Sequence, residues 1–318
     1  MSETTGGNYN TAIGYQAMYR DAGLANTHNT FIGQGIASGD WTTTASTHNT
    51  GVGSGAFGSA MQGATNNTGI GVDALSALTT GTGNVALGSG ALDGTNDGHN
   101  NVAIGYGALS ANAGDGSVAI GKSALTALTS GAGNTAVGYL AATSMEVGEY
   151  NTVVGYEAYR YATPTDTNGA NTIMGYQAGK FISTGYNNTF IGSTAGLGIT
   201  GTRLTGDGNT AVGKNAGLLL QGAAHENTFV GQGSGDVLTT GSDNTCVGFG
   251  ADTDDATAVN QIVIGHSTTG VADNSVTLGN DAVTKVYMAS DGGAVISAGG
   301  LGIGLAAVAP VTALDVHS

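Results

Sequence analysis

The sequence predicts an all-β, fibrous fold: a trimeric β-roll or β-solenoid built from about sixteen short repeats. Three observations lead there. First, an eight-residue pattern recurs through the chain, as "NTAIGYQA" from Asn10, "NTAVGYLA" from Asn134 and "NTIMGYQA" from Asn171. Second, its fifth residue is Gly in all sixteen copies, from Gly14 through Gly138 and Gly175 to Gly279. Third, the chain has 58 Gly and only 9% charged residues, yet is rich in the Val, Ile and Thr that disordered chains lack.

The copies begin at Asn10, Asn29, Asn49, Asn67, Asn84, Asn101, Ser117, Asn134, Asn151, Asn171, Asn188, Asn209, Asn227, Asn244, Gln261 and Ser275. Their commonest spacing is 17 residues, which reads as one rung per repeat. Asn at position one suits the turn into a strand, and stacked Asn side chains can bond to each other along the stack. Position two is Thr in eleven copies and Val or Ile in the rest; position four is always aliphatic or Met. Alternation puts these two on one strand face, read as buried. The invariant Gly marks positive φ or close approach of a neighbouring rung. Ala at position eight, in thirteen copies, leaves room for a tight inner corner.

Position three lies on the opposite face and is also mostly apolar, as at Phe31, Ala86, Val153 and Cys246. Both faces therefore call for burial. One fills the coil and the other needs a partner, which predicts several chains, most simply three, around one axis. Sixteen rungs at strand spacing make a rod of about 75 Å. The Gly, Thr, Ser and Asn-rich spacers are expected to supply a return strand and a loop.

Bulk properties exclude several functions. A net charge of -15 argues against a basic surface for nucleic acid or anionic membrane. No apolar run reaches the ~20 residues of a membrane-spanning helix, and no basic-then-apolar export signal opens the sequence. The lone Cys246 permits no intrachain disulfide and reads as a small core residue. His28, His48, His99 and His225 fall one or two residues before a motif start, a repeated loop end, not a metal cluster. Asp93 with Asp97, and Asp252, Asp254 and Asp255, are acidic loop pairs without a calcium-loop spacing. The "GIGLA" string lacks a strand-loop-helix context and a following Lys, so no nucleotide site is read. No catalytic set, cofactor or metal is expected.

Ligand contact is expected on three enlarged spacers. Residues 37–48 hold Trp41, residues 159–170 hold Tyr159, Arg160, Tyr161 and Pro164, and residues 196–208 hold Arg203. Aromatics beside polar groups suit carbohydrate stacking. The alternative is that Trp41 and Tyr161 fold back onto the shaft. Tyr at position six (Tyr15, Tyr106, Tyr139, Tyr156, Tyr176) reads as lining the shaft or a seam between chains.

The rungs resemble the β-roll heads of trimeric autotransporter adhesins. "GNTAVGYLAATS" from Gly133 and "NNTFIGSTAG" from Asn187 resemble still more the repetitive shafts of bacteriophage tail fibres. At the C-terminus, Gly302-Ile303-Gly304, Pro310 and Leu314-Asp315-Val316 resemble the segment that precedes a tail-fibre trimerisation chaperone. The resemblance implies a lead-in (1–9), a repeat shaft (10–284) and a junction segment (285–318). It implies a non-enzymatic homotrimer, assembled in the host cytoplasm and carried on the virion with other tail proteins. Its partner would be a host cell-surface glycan or protein. The same rungs would suit a bacterial surface adhesin. A monomeric ice-binding solenoid is a third reading, set against the Thr column sharing a face with Ile and Val read as buried. A glycan-cleaving tailspike would need a carboxylate pair assembled between chains.

Overall fold

The computed structural model describes residues 7–19, 24–41, 43–95, 97–111, 114–163, 169–284 and 286. Each motif supplies one short strand, at positions two to four in the first fourteen and one to four in the last two, from β1 (Thr11–Ile13) to β16 (Ser275–Leu278). The sixteen strands form a single parallel sheet in sequence order, a β-solenoid of about fifteen turns, with no helix among the described residues. Equivalent positions pair throughout: Thr11 with Thr30, Ala12 with Phe31, Ile13 with Ile32. The chain divides at residue 282, and of the part beyond it only 283, 284 and 286 are described. The Gly302–Val316 motif, Pro164 and His317 lie outside the described residues.

The Gly at position five ends each strand. Gly14, Gly138 and Gly175 have φ of 134, 141 and 142°. A Cβ there would sit 2.2–2.3 Å from the carbonyl oxygen of the stacked Gly one rung on. The rest of the rung is turn, with only isolated bridges such as Thr27–Thr47 and Leu204–Gly222. The expected return strand is therefore not continuous. A spacer rich in Gly and polar residues satisfies its backbone groups through turns and rung-to-rung bonds instead.

The structure decides which of the two apolar strand faces fills the coil. Position three points into the coil: Phe31, Ala86, Ala103, Ile173, Phe190 and Cys246 are fully buried. Positions two and four face outward, so the aliphatic column is solvent-facing in the single chain, with Ile13 56%, Ile70 40% and Leu278 45% exposed. The interior is thin, so it takes small residues on the strand and closes them with a larger one at position nine. Gly51 faces Phe57, and a Cβ on it would meet that ring at 3.0 Å. In the rungs with Phe190 and Phe229 the sizes exchange: Gly196 and Gly235 sit against those rings, 2.3 and 2.4 Å from a hypothetical Cβ. In these rungs a large residue in one column stands against a glycine in the other, as close packing of a thin interior requires.

The position-one column is buried from Asn29 to Gln261 and bonded from rung to rung, most weakly at Ser117. Asn10 opens it, accepting from the amide and Nδ2 of Asn29 at 2.9 and 3.1 Å. The pattern repeats through Asn134 and Asn151 to Asn171, whose Nδ2 bonds Asn151 at 3.1 Å. Cys246 is a free, buried thiol whose pKa is pushed up to about 12 by burial and the nearby Asp252 charge.

Candidate functional site

Stacking of three rungs gathers residues 42 positions apart into one surface cluster. The Nη1 of Arg203 donates to the Tyr161 carbonyl at 3.1 Å, and its guanidinium lies 5.6 Å from the Tyr161 ring centre. Arg160 lies over the same ring at 4.9 Å and Lys180 at 5.9 Å. Tyr161 stacks on Phe181, their centroids 5.4 Å apart and planes 6° apart. Arg160 and Lys180 occupy position ten of successive rungs, and Tyr161 and Phe181 position eleven. Parallel in-register stacking therefore forces like onto like.

Beneath them sits Glu157, buried and ion-paired with Arg160 and with Lys180 at 2.7 Å, and accepting from Gln177 at 2.8 Å. Burial pushes its pKa up, but the Lys180 and Gln177 hydrogen bonds and the two cations outweigh it and hold the carboxyl below its usual range. Arg160, Tyr161, Lys180, Phe181 and Arg203 are all half-buried. The Arg160 Nε has no hydrogen-bond partner.

Sequence reading placed Arg160, Tyr161 and Arg203 on contact loops, and the structure brings these three together. It missed Lys180 and Phe181, which lie in a spacer of ordinary length. Their shared column with Arg160 and Tyr161 was the signal. Two other candidates are corrected. Tyr159 is 1% exposed, its hydroxyl accepting from the buried Asn171 Nδ2 at 3.1 Å. Trp41 is 1% exposed and packs edge-on to Phe31, centroids 6.1 Å apart. Both fill enlarged rungs from inside, since a longer spacer widens the coil and needs a large side chain.

Along position six runs an exposed aromatic stripe. Tyr139 stacks on Tyr156 at 5.1 Å and Tyr156 on Tyr176 at 5.6 Å, and Lys122 lies 5.8 Å from the Tyr106 and Tyr139 ring centres.

The acidic residues do not converge as the sequence paired them. Asp93 faces Asp73, not Asp97; burial first, and the Asp73 charge with it, raise its pKa. Asp254 accepts from Gln261, and Asp255 caps Thr257. Asp252 is buried, accepts from the amides of Val237 and Thr253, and lies beside the Asp236 carboxyl. Burial and the Asp236 carboxyl raise its pKa to about 7. Among the described residues no three His, Cys, Asp or Glu side chains are grouped to hold a metal. His28 and His48 stack on one another at 4.8 Å.

The Asp252 pair gives a pH prediction. An acid whose folded pKa is raised binds its proton more tightly when folded, so its stabilisation is complete below the unfolded value near 4 and is lost as pH climbs through about 7. Asp236→Asn removes the opposing charge and leaves an amide to bond the ionised Asp252. Thermal melts from pH 4 to 8 should show wild-type stability falling relative to this variant. Parallel curves would remove the pair as a pH-dependent element.

No helix of the described residues is long and apolar enough to cross a membrane. No protein-family model and no curated protein matches the chain.

Proposed function

We propose that the chain is the rigid shaft of a bacteriophage tail fibre, a homotrimer whose loops attach to a glycan on the host surface. The observation that carries this reading is the solvent-facing column at positions two and four. A sheet three residues wide and sixteen rungs long offers a flat face of roughly 750 Å². Monomers rarely leave apolar patches beyond a few hundred Å², and a stable interface takes about 800 Å² per partner. Ile70, Leu87, Ile104 and Ile120 stand on consecutive rungs of that face in register. Three identical faces turned to one axis would bury it, with every rung contributing the same two side chains. The repeats' likeness to tail-fibre shafts supports three chains and a virion location. The half-buried polar and aromatic side chains of the spacers would be left outward.

Light scattering tests the assembly. The expected mass is three times the 31.0 kDa of one chain. Ile70→Lys with Leu87→Lys places charge on the exposed face, so the single-chain fold should survive while the mass falls to one chain. A wild-type monomer would overturn the shaft reading.

A second reading draws support from the same face. The Thr column is open to solvent beside aliphatic side chains, so the ground for setting ice binding aside, that Thr shares its face with buried Ile and Val, does not hold in the single chain. A monomer showing thermal hysteresis, abolished by Thr→Tyr changes on this face, would favour it.

A further inference from the structure

We propose that the Arg160, Tyr161, Lys180, Phe181 and Arg203 cluster binds the negatively charged sugar of a surface glycan, through its carboxylate or phosphate group. The inference rests on the reading of the chain as a glycan-attaching fibre and names the chemistry of that contact.

Charge is the first argument. The chain has 7 Lys and Arg against 22 Asp and Glu, so its general surface repels anions. Three of those seven cations meet around one ring, drawn from three successive rungs. Solubility does not explain that gathering, because a strongly acidic chain is dispersed without it. Glu157 is their one carboxylate among the described residues, and it is shared by Arg160 and Lys180. Arg203 has no carboxylate partner among the described residues and spends one donor on a neutral carbonyl.

Free donors are the second argument. A guanidinium carries five N–H donors in a planar fork that fits a carboxylate or phosphate in bidentate fashion. Arg203, half-buried, has donors left after its bond to Tyr161. The rings supply what an ion site alone would not need. Tyr161 and Phe181, stacked and half-exposed among the cations, leave an apolar ring surface against which the C–H groups of a sugar can lie while its charged substituent reaches the arginines. Inorganic ions need no such surface, and a neutral sugar needs no such cations. A charged sugar uses both.

The experiment is a glycan array in which each carboxylated bacterial polysaccharide is printed beside its methyl ester, and each phosphorylated one beside its dephosphorylated form, probed with the full-length protein. Loss of a charge-assisted bidentate contact is expected to weaken binding about tenfold or more. The charged form of at least one pair should bind that much better than its neutral twin, and less well as salt rises. Arg203→Gln should erase the difference, as should Tyr161→Ala, while Lys214→Gln, an exposed cation outside the cluster, should keep it. Which kind of pair responds tells carboxylate from phosphate. Equal binding of charged and neutral twins, or an unchanged preference in a folded Arg203→Gln, overturns the inference and leaves glycan attachment standing. Absence of binding to every glycan by a folded, intact protein overturns both.

Discussion

Gly175→Ala should lower the midpoint of chemical unfolding far more than a methyl group added at an unhindered glycine such as Gly201. Two independent penalties meet at Gly175. The backbone sits at φ 142°, a conformation side-chain-bearing residues rarely adopt. A Cβ would also stand 2.2 Å from the Gly192 carbonyl oxygen and 2.5 Å from its carbon. The obstacle is the neighbouring rung's backbone, so no side-chain rotation relieves it, and that backbone is fixed in turn by Gly213 stacked beyond it. Strain of this kind costs about 1–3 kcal/mol from the dihedral alone, and the clash adds to it. In a one-dimensional stack, a broken rung also uncouples the rungs on either side. The expected result is therefore a second, earlier transition, with hydrogen exchange accelerated around β10 (Thr172–Met174) and β11 (Thr189–Ile191). Gly201→Ala is the control: a Cβ there meets nothing within 4 Å. If the two variants unfold together, the glycine column is not what sets rung spacing.

That column was legible in the sequence because its cause is local. One rung must pass close to the next, only Gly permits it, and the residue recurs. The strand positions were legible for the same reason. The face assignment was not. Both strand faces are apolar, and pattern alone does not say which set fits a thin interior. The answer lies in volume, in pairs such as Gly51 with Phe57 and Phe190 with Gly196, where a residue on the strand is sized to one six positions later. Read singly, Phe31 beside Gly51 looks like drift; read with Ala37 and Phe57, the large and small residues have exchanged columns.

The cluster around Tyr161 was half legible for a related reason. Long spacers flagged Arg160, Tyr161 and Arg203, but length is also what makes room for Trp41 and Tyr159 inside. Composition alone does not separate a loop aromatic facing out from one facing in. The column does: position nine points inward in rung after rung, as at Leu92, Leu109 and Tyr159, whereas the side chains at positions ten and eleven keep access to solvent, as at Lys180 and Phe181.

Asn67→Ala should be a costly truncation, because this side chain bonds to both flanking rungs. Its Oδ1 accepts from the Asn84 amide at 2.9 Å and the Asn84 Nδ2 at 3.0 Å, while its own Nδ2 donates to Asn49 Oδ1 and Gly81 O at 3.0 and 2.9 Å. All of this is buried, so water does not take over the orphaned groups. A buried group left unpaired costs about 1–3 kcal/mol, and truncation here orphans the Asn84 amide on the next rung and the Gly81 carbonyl, while Asn49 Oδ1 keeps only the Asn67 amide, so a loss of roughly 3 kcal/mol is expected in denaturant melts. The chain already contains a milder break. Where Ser117 replaces Asn, the next amide, of Asn134, reaches its hydroxyl at only 3.4 Å, and the Nδ2 of Asn101 is without a partner. Asn67→Ser should therefore fall between wild type and Asn67→Ala, because the hydroxyl keeps a weakened acceptor for the Asn84 amide. Were all three to melt alike, strand pairing and the glycine column alone would hold the stack, and the Asn column would serve only to fill it. A graded series in the order Asn, Ser, Ala would make the column the element that locks each rung to its neighbour, for a slip of one residue would leave every one of those bonds unmade.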